Sequence, residues 1–215
     1  MKKTNNKGFS LVELIIVIAI MAILAGAIAP ALIRYIDKSR RSNDVTACKT
    51  IKTAVETALG NESVYELITT GDDFCYIYVA PGVKTAVTDE TKTLPEDYPI
   101  SMDGYNTTGD ANDEGKINGK AIEDIYYTAC SEIGVNIGEK TPKLKFRKNA
   151  ADKDADEIPT GFVAVVSKKG TVYVYIAVTD DLTGFTIGEG EDADPDDVDS
   201  TVGFQICPVT CDEYQ

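Results

Sequence analysis

One carboxylate stands where a carboxylate is costly. Glu13 lies four residues into the apolar run FSLVELIIVIAIMAILAGAIAPALI, Phe9 to Ile33. An ionised side chain at mid-membrane depth costs about 2.5–3.5 kcal/mol, so Glu13 calls for a partner and is the first candidate for chemistry. The second is a set of five cysteines, Cys48, Cys75, Cys130, Cys207 and Cys211. An odd number leaves at least one thiol unpaired within the chain, and the spacing lacks the CxxC knuckles of a structural zinc site. The third is acid-rich sequence. Residues 189–199, EGEDADPDDVD, hold seven acids and no base. Such a run is ordinarily a solvated loop. Asp192, Asp194, Asp196, Asp197 and Asp199 also offer the oxygen ligands that Ca²⁺ takes. Asp110, Asn112, Glu114 and Gly115 open a similar spacing, but Ala121 stands where an EF-hand would close with Glu.

Composition removes other chemistries. The 215 residues carry 21 Lys and Arg against 35 Asp and Glu, a formal charge of −14, with no His. Imidazole acid–base catalysis, Ser–His and Cys–His nucleophiles and His metal sites are therefore absent. Direct nucleic-acid binding is not expected, because neutralising phosphates needs clustered Lys and Arg. The adjacent acids Glu123 and Asp124 fall on one predicted helix and do not face each other. No Ser or Cys nucleophile motif and no phosphate-binding Gly loop is present, which disfavours an enzyme.

Four segments must position these residues. Residues 1–8 are a short polar leader with Lys2, Lys3 and Lys7 and no acid; residues 9–33 are apolar. The 20 residues Leu14–Ile33 carry no charge, enough for a helix to span the hydrocarbon core, with the basic leader on the cytoplasmic side. Ala25-Gly26-Ala27 could serve as a signal-peptide cleavage site, but the helical pattern runs on without a break. Residues 34–60 continue the helix amphipathically, with Val45, Cys48, Ile51, Val55 and Leu59 on one face. Arg34, Lys38, Arg40 and Arg41 read as a solvated collar, and Gly60-Asn61 as the stop. The whole helix would measure about 75 Å at 1.5 Å per residue. Residues 61–215 are expected to form an α+β head. Its strands are Phe74–Ala80, Phe162–Ser167 and Thr171–Val178, the last two joined through Lys168-Lys169-Gly170 as a hairpin; Phe185–Ile187 and Val202–Ile206 are weaker. A second helix is expected within Lys120–Gly134. One sheet face, with Val172, Val174 and Ile176, should cover the apolar face of the long helix.

The stretch KGFSLVELIIVIAI, Lys7 to Ile20, resembles the N-terminus of the type IV pilins and of the related pseudopilins of type II secretion. Pro30 and Tyr35 fit the same pattern. The resemblance implies that a membrane prepilin peptidase cuts after Gly8 and that the new terminus, Phe9, is N-methylated. It also implies that Glu13 of one subunit pairs with the Phe9 amine of its neighbour in a helical filament. An intramolecular Phe9–Glu13 contact is the milder alternative. Gly26 and Pro30 mark a stretch of helix able to unwind on assembly. A single-pass prepilin in the cytoplasmic membrane, in contact with lipid, and then an extracellular pilus for adhesion, motility or DNA uptake would follow. A platform protein and an assembly ATPase are the expected partners. The alternative is a pseudopilin of a type II secretion-like system, whose heads in some cases bind calcium. The resemblance further implies a terminal Cys207–Cys211 disulfide with Cys75–Cys130 as companion, leaving Cys48 as a small buried hydrophobe. Without residues 1–8 the chain keeps 18 bases against 35 acids, about −17.

Overall fold

The structure is a computed structural model that describes residues 10–86, 93–95, 97–146, 158–178, 182, 185 and 203–214. The chain forms two units, one up to Ser39 and one from Arg40 onward. Helix α1, Leu11–Ala58, belongs to both.

The first unit is helix. Its large apolar residues from Leu11 to Ile33 are all exposed. Pro30 lies inside the helix without ending it. Proline has no N–H to give to the carbonyl four residues back, which here belongs to Gly26. The helix therefore lacks one rung at that point, and the residue left with it is the weakest helix former short of proline.

The second unit is built on α1 from Arg40 to Ala58. Cys48, Ile51 and Val55 are fully buried, Val45 and Leu59 partly so, and Ala47, Ala54 and Ala58 widen the buried stripe. These small side chains share one core with the inward residues of the sheet. Helix α2, Glu62–Thr69, follows within three residues. Asn61, read from sequence as a stop, is also the start of α2: its side chain accepts the Ser63 N–H at 3.2 Å. Val64, Leu67 and Ile68 then bury the inner face of α2. Helix α3, Ile122–Ile137, overlaps the expected second helix and packs on α2.

The sheet has five antiparallel strands. They are β1 Phe74–Val79, β2 Ile100–Asp103, β7 Gly161–Ser167, β8 Val172–Ala177 and β9 Gly203–Cys207, in the order β2-β1-β7-β8-β9. Four two-residue strands, β3 Gly109–Asp110, β4 Asp113–Glu114, β5 Lys116–Ile117 and β6 Lys120–Ala121, make two small hairpins before α3. Strand alternation sorts the residues. Ile77, Ala164 and Val174 are register partners in turn across β1, β7 and β8, and they join α1 in one core with Val172 and Ile176. The opposite face is also covered. Val163, Val165, Tyr175 and Ala177 pack with Phe185 and Leu182, and the Phe185 ring meets Tyr175 edge-on at 5.4 Å. Phe185 is not in a strand, and the rest of the weak strand expected over 185–187 lies outside the described residues. Gly161 has no side chain because Tyr78 fills that place: a Cβ there would stand 2.5 Å from its ring.

A strap joins α3 to the edge of this core. Residues 138–146 run beside 80–85, with Lys84 and Lys140 paired across an antiparallel bridge. The strap ends on a buried charge. Asp44 of α1 is fully buried and accepts the N–H groups of Lys145 and Phe146, each at 2.8 Å. Above it, the Arg41 guanidinium sits 4.4 Å from the Phe146 ring centre, and Phe146 meets Tyr214 edge-on. Arg41 is thus part of the packing rather than of a solvated collar.

Burial raises the Asp44 carboxyl above its usual range, while the two N–H donors and Lys145 oppose the rise. The native state then holds this proton more tightly than the unfolded chain. The contribution of Asp44 is greatest below about pH 3.8 and is lost as pH rises through the elevated value. Asp44→Ala, which orphans one buried and one part-buried donor, is expected to cost about 1–3 kcal/mol in unfolding of the detergent-solubilised chain. The stability difference between wild type and Asp44→Asn should change between pH 3.5 and 6; a flat difference would contradict the assignment.

Candidate functional site

The residues singled out at the N-terminus fall at one helix end. Gly8 and Phe9 lie outside the described residues. Glu13 is in the first turn of α1, and the Ser10 N–H donates to its Oε2 at 2.9 Å. The Leu14 N–H reaches the Ser10 carbonyl at 3.2 Å. This is one half of a capping box: the Glu three residues into the helix returns to the amide of the capping Ser. The signal, Ser10-x-x-Glu13 before an apolar run, is in the sequence. A carboxylate has about four lone-pair sites, so the Ser10 bond leaves room for a second donor.

Around Glu13 the surface is apolar on every side of the helix. Fourteen large apolar side chains between Leu11 and Ile33 are each 46–73% exposed. Covering them is worth roughly 1 kcal/mol or more apiece. The sum rivals the whole folding stability of an ordinary domain, about 5–15 kcal/mol. The helix is long and apolar enough to cross a membrane. Lipid or the same stretch of other copies can supply the cover, and only the second would build a fibre.

The cysteines are all free thiols, so neither disulfide implied by the resemblance is formed. Their neighbours explain the arrangement. Cys75 in β1 and Cys130 in α3 are buried near each other in the main core, and the Cys130 thiol is engaged by the Tyr126 hydroxyl. Cys207, at the end of β9, faces the core beside Cys48, whereas Cys211 sits half-exposed on the returning chain. Burial raises the thiols of Cys48, Cys75 and Cys207, and pushes Cys130 up to about 12, so they are poor nucleophiles.

Among the described residues no group of three His, Cys, Asp or Glu side chains is placed to hold a metal ion, which covers the spacing from Asp110 to Gly115. Asp110 instead accepts the Asn118 N–H at 3.0 Å. The acidic run with Asp192, Asp194, Asp196, Asp197 and Asp199 lies outside the described residues. An open cleft of about 430 Å³ beside α2 and α3 is lined by Asn61, Ser63, Lys120 and Asp124. Its Lys120 ammonium is bonded to the Ser63 hydroxyl at 3.1 Å.

An apolar helix of membrane-crossing length, continuous with the spine of an antiparallel-sheet head, defines a class of subunit that assembles through its helix. Comparison with known proteins gives that class its family. Residues 3–29 match the prokaryotic N-terminal methylation motif. The chain is 31% identical over 165 residues to the type IV major alpha-pilin of Moraxella bovis, covering 74% of this chain and 97% of that protein. It is 30% identical over 130 residues to the type IV major fimbrial protein FimA of Dichelobacter nodosus, covering 56% of this chain and 81% of the relative. A fimbrial protein of Moraxella nonliquefaciens is 34% identical over 126 residues, 54% of this chain and 75% of its own length. No solved structure matches significantly. The chain belongs to the type IV pilin family. Its relatives are pilus subunits, structural proteins rather than enzymes, and the pseudopilin alternative is not favoured.

The thiol pattern has a direct consequence. Without reductant, the native chain should take up at most one iodoacetamide equivalent within minutes at pH 8, on Cys211, and five once unfolded. Intact mass and peptide mapping read both numbers; only one or three reactive thiols in the unfolded chain would show that disulfides form.

Proposed function

We propose that this chain is made as a single-pass membrane prepilin, cut after Gly8 by a prepilin peptidase, methylated on Phe9, and polymerised through α1 into a surface pilus. The observation that carries this reading is the pairing of an uncovered apolar helix with one acid, Glu13, at its start. In lipid the apolar side chains are satisfied and the carboxylate is not. In a fibre the neighbour's helix covers the side chains, and its Phe9 ammonium supplies the missing charge. The amine and the carboxylate neutralise each other only at one axial offset, so the pair fixes register as well as removing charge. The Ser10 N–H bond to the carboxylate at the start of α1 supports this reading, since it leaves lone pairs for a second donor.

Energy for extracting the helix from the bilayer has to come from outside the subunit. A membrane platform protein and an assembly ATPase fill that role. The fibre is extracellular, and its use is adhesion, motility or DNA uptake, with the acidic head disfavouring direct contact with DNA.

Sheared surface filaments test the reading. Their subunit should begin at N-methylated Phe9, by intact mass and N-terminal peptide; chains in fibres that begin at Met1 would overturn it. Gly8→Val should leave full-length precursor in the membrane. Glu13→Ala, as the sole pilin, should lower filament yield at least tenfold while the chain is still processed; unchanged yield would remove the charge-pairing argument.

A further inference from the structure

The chain is acidic overall, but its charge is segregated. Residues 140–148, KTPKLKFRK, hold five bases and no acid, whereas 189–199 hold seven acids and no base. The basic stretch begins on the strap, and the structure fixes it firmly. Thr141 is buried, its hydroxyl donates to the Ala80 carbonyl at 2.6 Å, and the same oxygen accepts the Val83 N–H at 2.9 Å. Leu144 and Phe146 turn inward, and Asp44 holds the amides of Lys145 and Phe146. With these inward, Lys140, Lys143 and Lys145 are exposed, and so is Lys84, the bridge partner of Lys140. The Lys143 stem lies along Gly82, where a Cβ would come within 3.1 Å of it. Glu139 is the single acid in the described stretches 81–86 and 138–146. Lys145 also faces the Asp44 carboxylate, which leaves Lys84, Lys140 and Lys143 as the free basic face.

We propose that this lysine strap is a docking surface for a second copy of the chain, and that its occupant is the neighbour's acidic run, residues 189–199. The inference rests on the reading of the chain as a filament subunit. Mature subunits of about −17 repel one another, and the repulsion is screened only beyond a Debye length of about 8 Å in physiological salt. Heads brought side by side by their helices meet inside that distance. A fixed basic face set against a concentrated acidic segment converts part of the repulsion into attraction, and complementarity of this kind selects orientation. The lysine stems start from a backbone already held by buried groups, so little ordering is lost on contact.

Zero-length carbodiimide crosslinking of native filaments, followed by separation of covalent dimers from monomers and peptide mass spectrometry, tests the contact. The dimer should contain Lys84, Lys140 or Lys143 joined to carboxylates of 189–199. The same crosslinks confined to monomer would show that the strap holds its own chain's run, and dimers joined elsewhere would show no such contact; either overturns the proposal while leaving the filament reading intact. Lys84→Glu, Lys140→Glu and Lys143→Glu together should lower filament yield at least fivefold, with processed subunit in the membrane unchanged. Adding Asp192→Lys, Asp194→Lys, Asp196→Lys and Asp197→Lys should restore yield to within twofold. Yield unaffected by the first set, or not restored by the second, counts against the contact. Absence of filaments from the wild type would overturn the subunit reading along with it.

Discussion

Helix α1, whose backbone ladder lacks a rung at Pro30, asks for two different solvents along its length. From Leu11 to Ile33 its side chains are apolar all round and uncovered; from Arg40 to Ala58 one stripe is apolar and is covered by the sheet. Neither half is stable alone in water. The first needs lipid or other helices, because helical backbone satisfies its own polar groups but its side chains still shun water. The second needs the head. Both requirements fall on the one helix that runs through the two units.

The head's construction follows from the second half of α1. The stripe on α1 is widened by Ala47, Ala54 and Ala58, and the inward residues of β1, β7, β8 and β9 join it in one core. The far side of the sheet is closed by Phe185 and Leu182 instead of being left to solvent. Among the described residues one buried side chain carries a carboxyl group, Asp44. Asp44 takes its place there because it satisfies two amides of the strap that no strand partner reaches. A buried carboxylate is tolerable on those terms: desolvation opposes its charge, and two N–H donors with a nearby lysine support it.

Charge organises the surface as burial organises the interior. Seven of the chain's acids are concentrated in residues 189–199, while a group of its bases is gathered on the strap that Asp44 anchors. The same buried carboxyl therefore shapes the core and the basic face. Free thiols fit this economy: Cys48, Cys75, Cys130 and Cys207 behave as small apolar side chains in a core large enough to hold without crosslinks.

The sequence alone determined helix α1, since that stretch answers to period and composition. An apolar run, its amphipathic continuation at spacings of three and four, and the Glu at fixed distance from a Gly-Phe junction are local patterns, and the structure buries Cys48, Ile51 and Val55 on one face of α1 as the spacing predicts. Strands β1, β7 and β8 were legible for the same reason, as dense β-branched and aromatic segments. Edge strand β2 was not, because ISMD carries a weak strand signal and pairs only once β1 is present. Helix α2 was hidden by Asn61, whose cap chemistry reads equally as an end and a beginning. Only the tertiary structure decided that Asp44, a polar residue on a helix, faces inward: its partners are amides about one hundred residues away, and no spacing rule reaches so far. It likewise decided which thiols neighbour one another and that Lys84 stands opposite Lys140, because both depend on long-range backbone pairing.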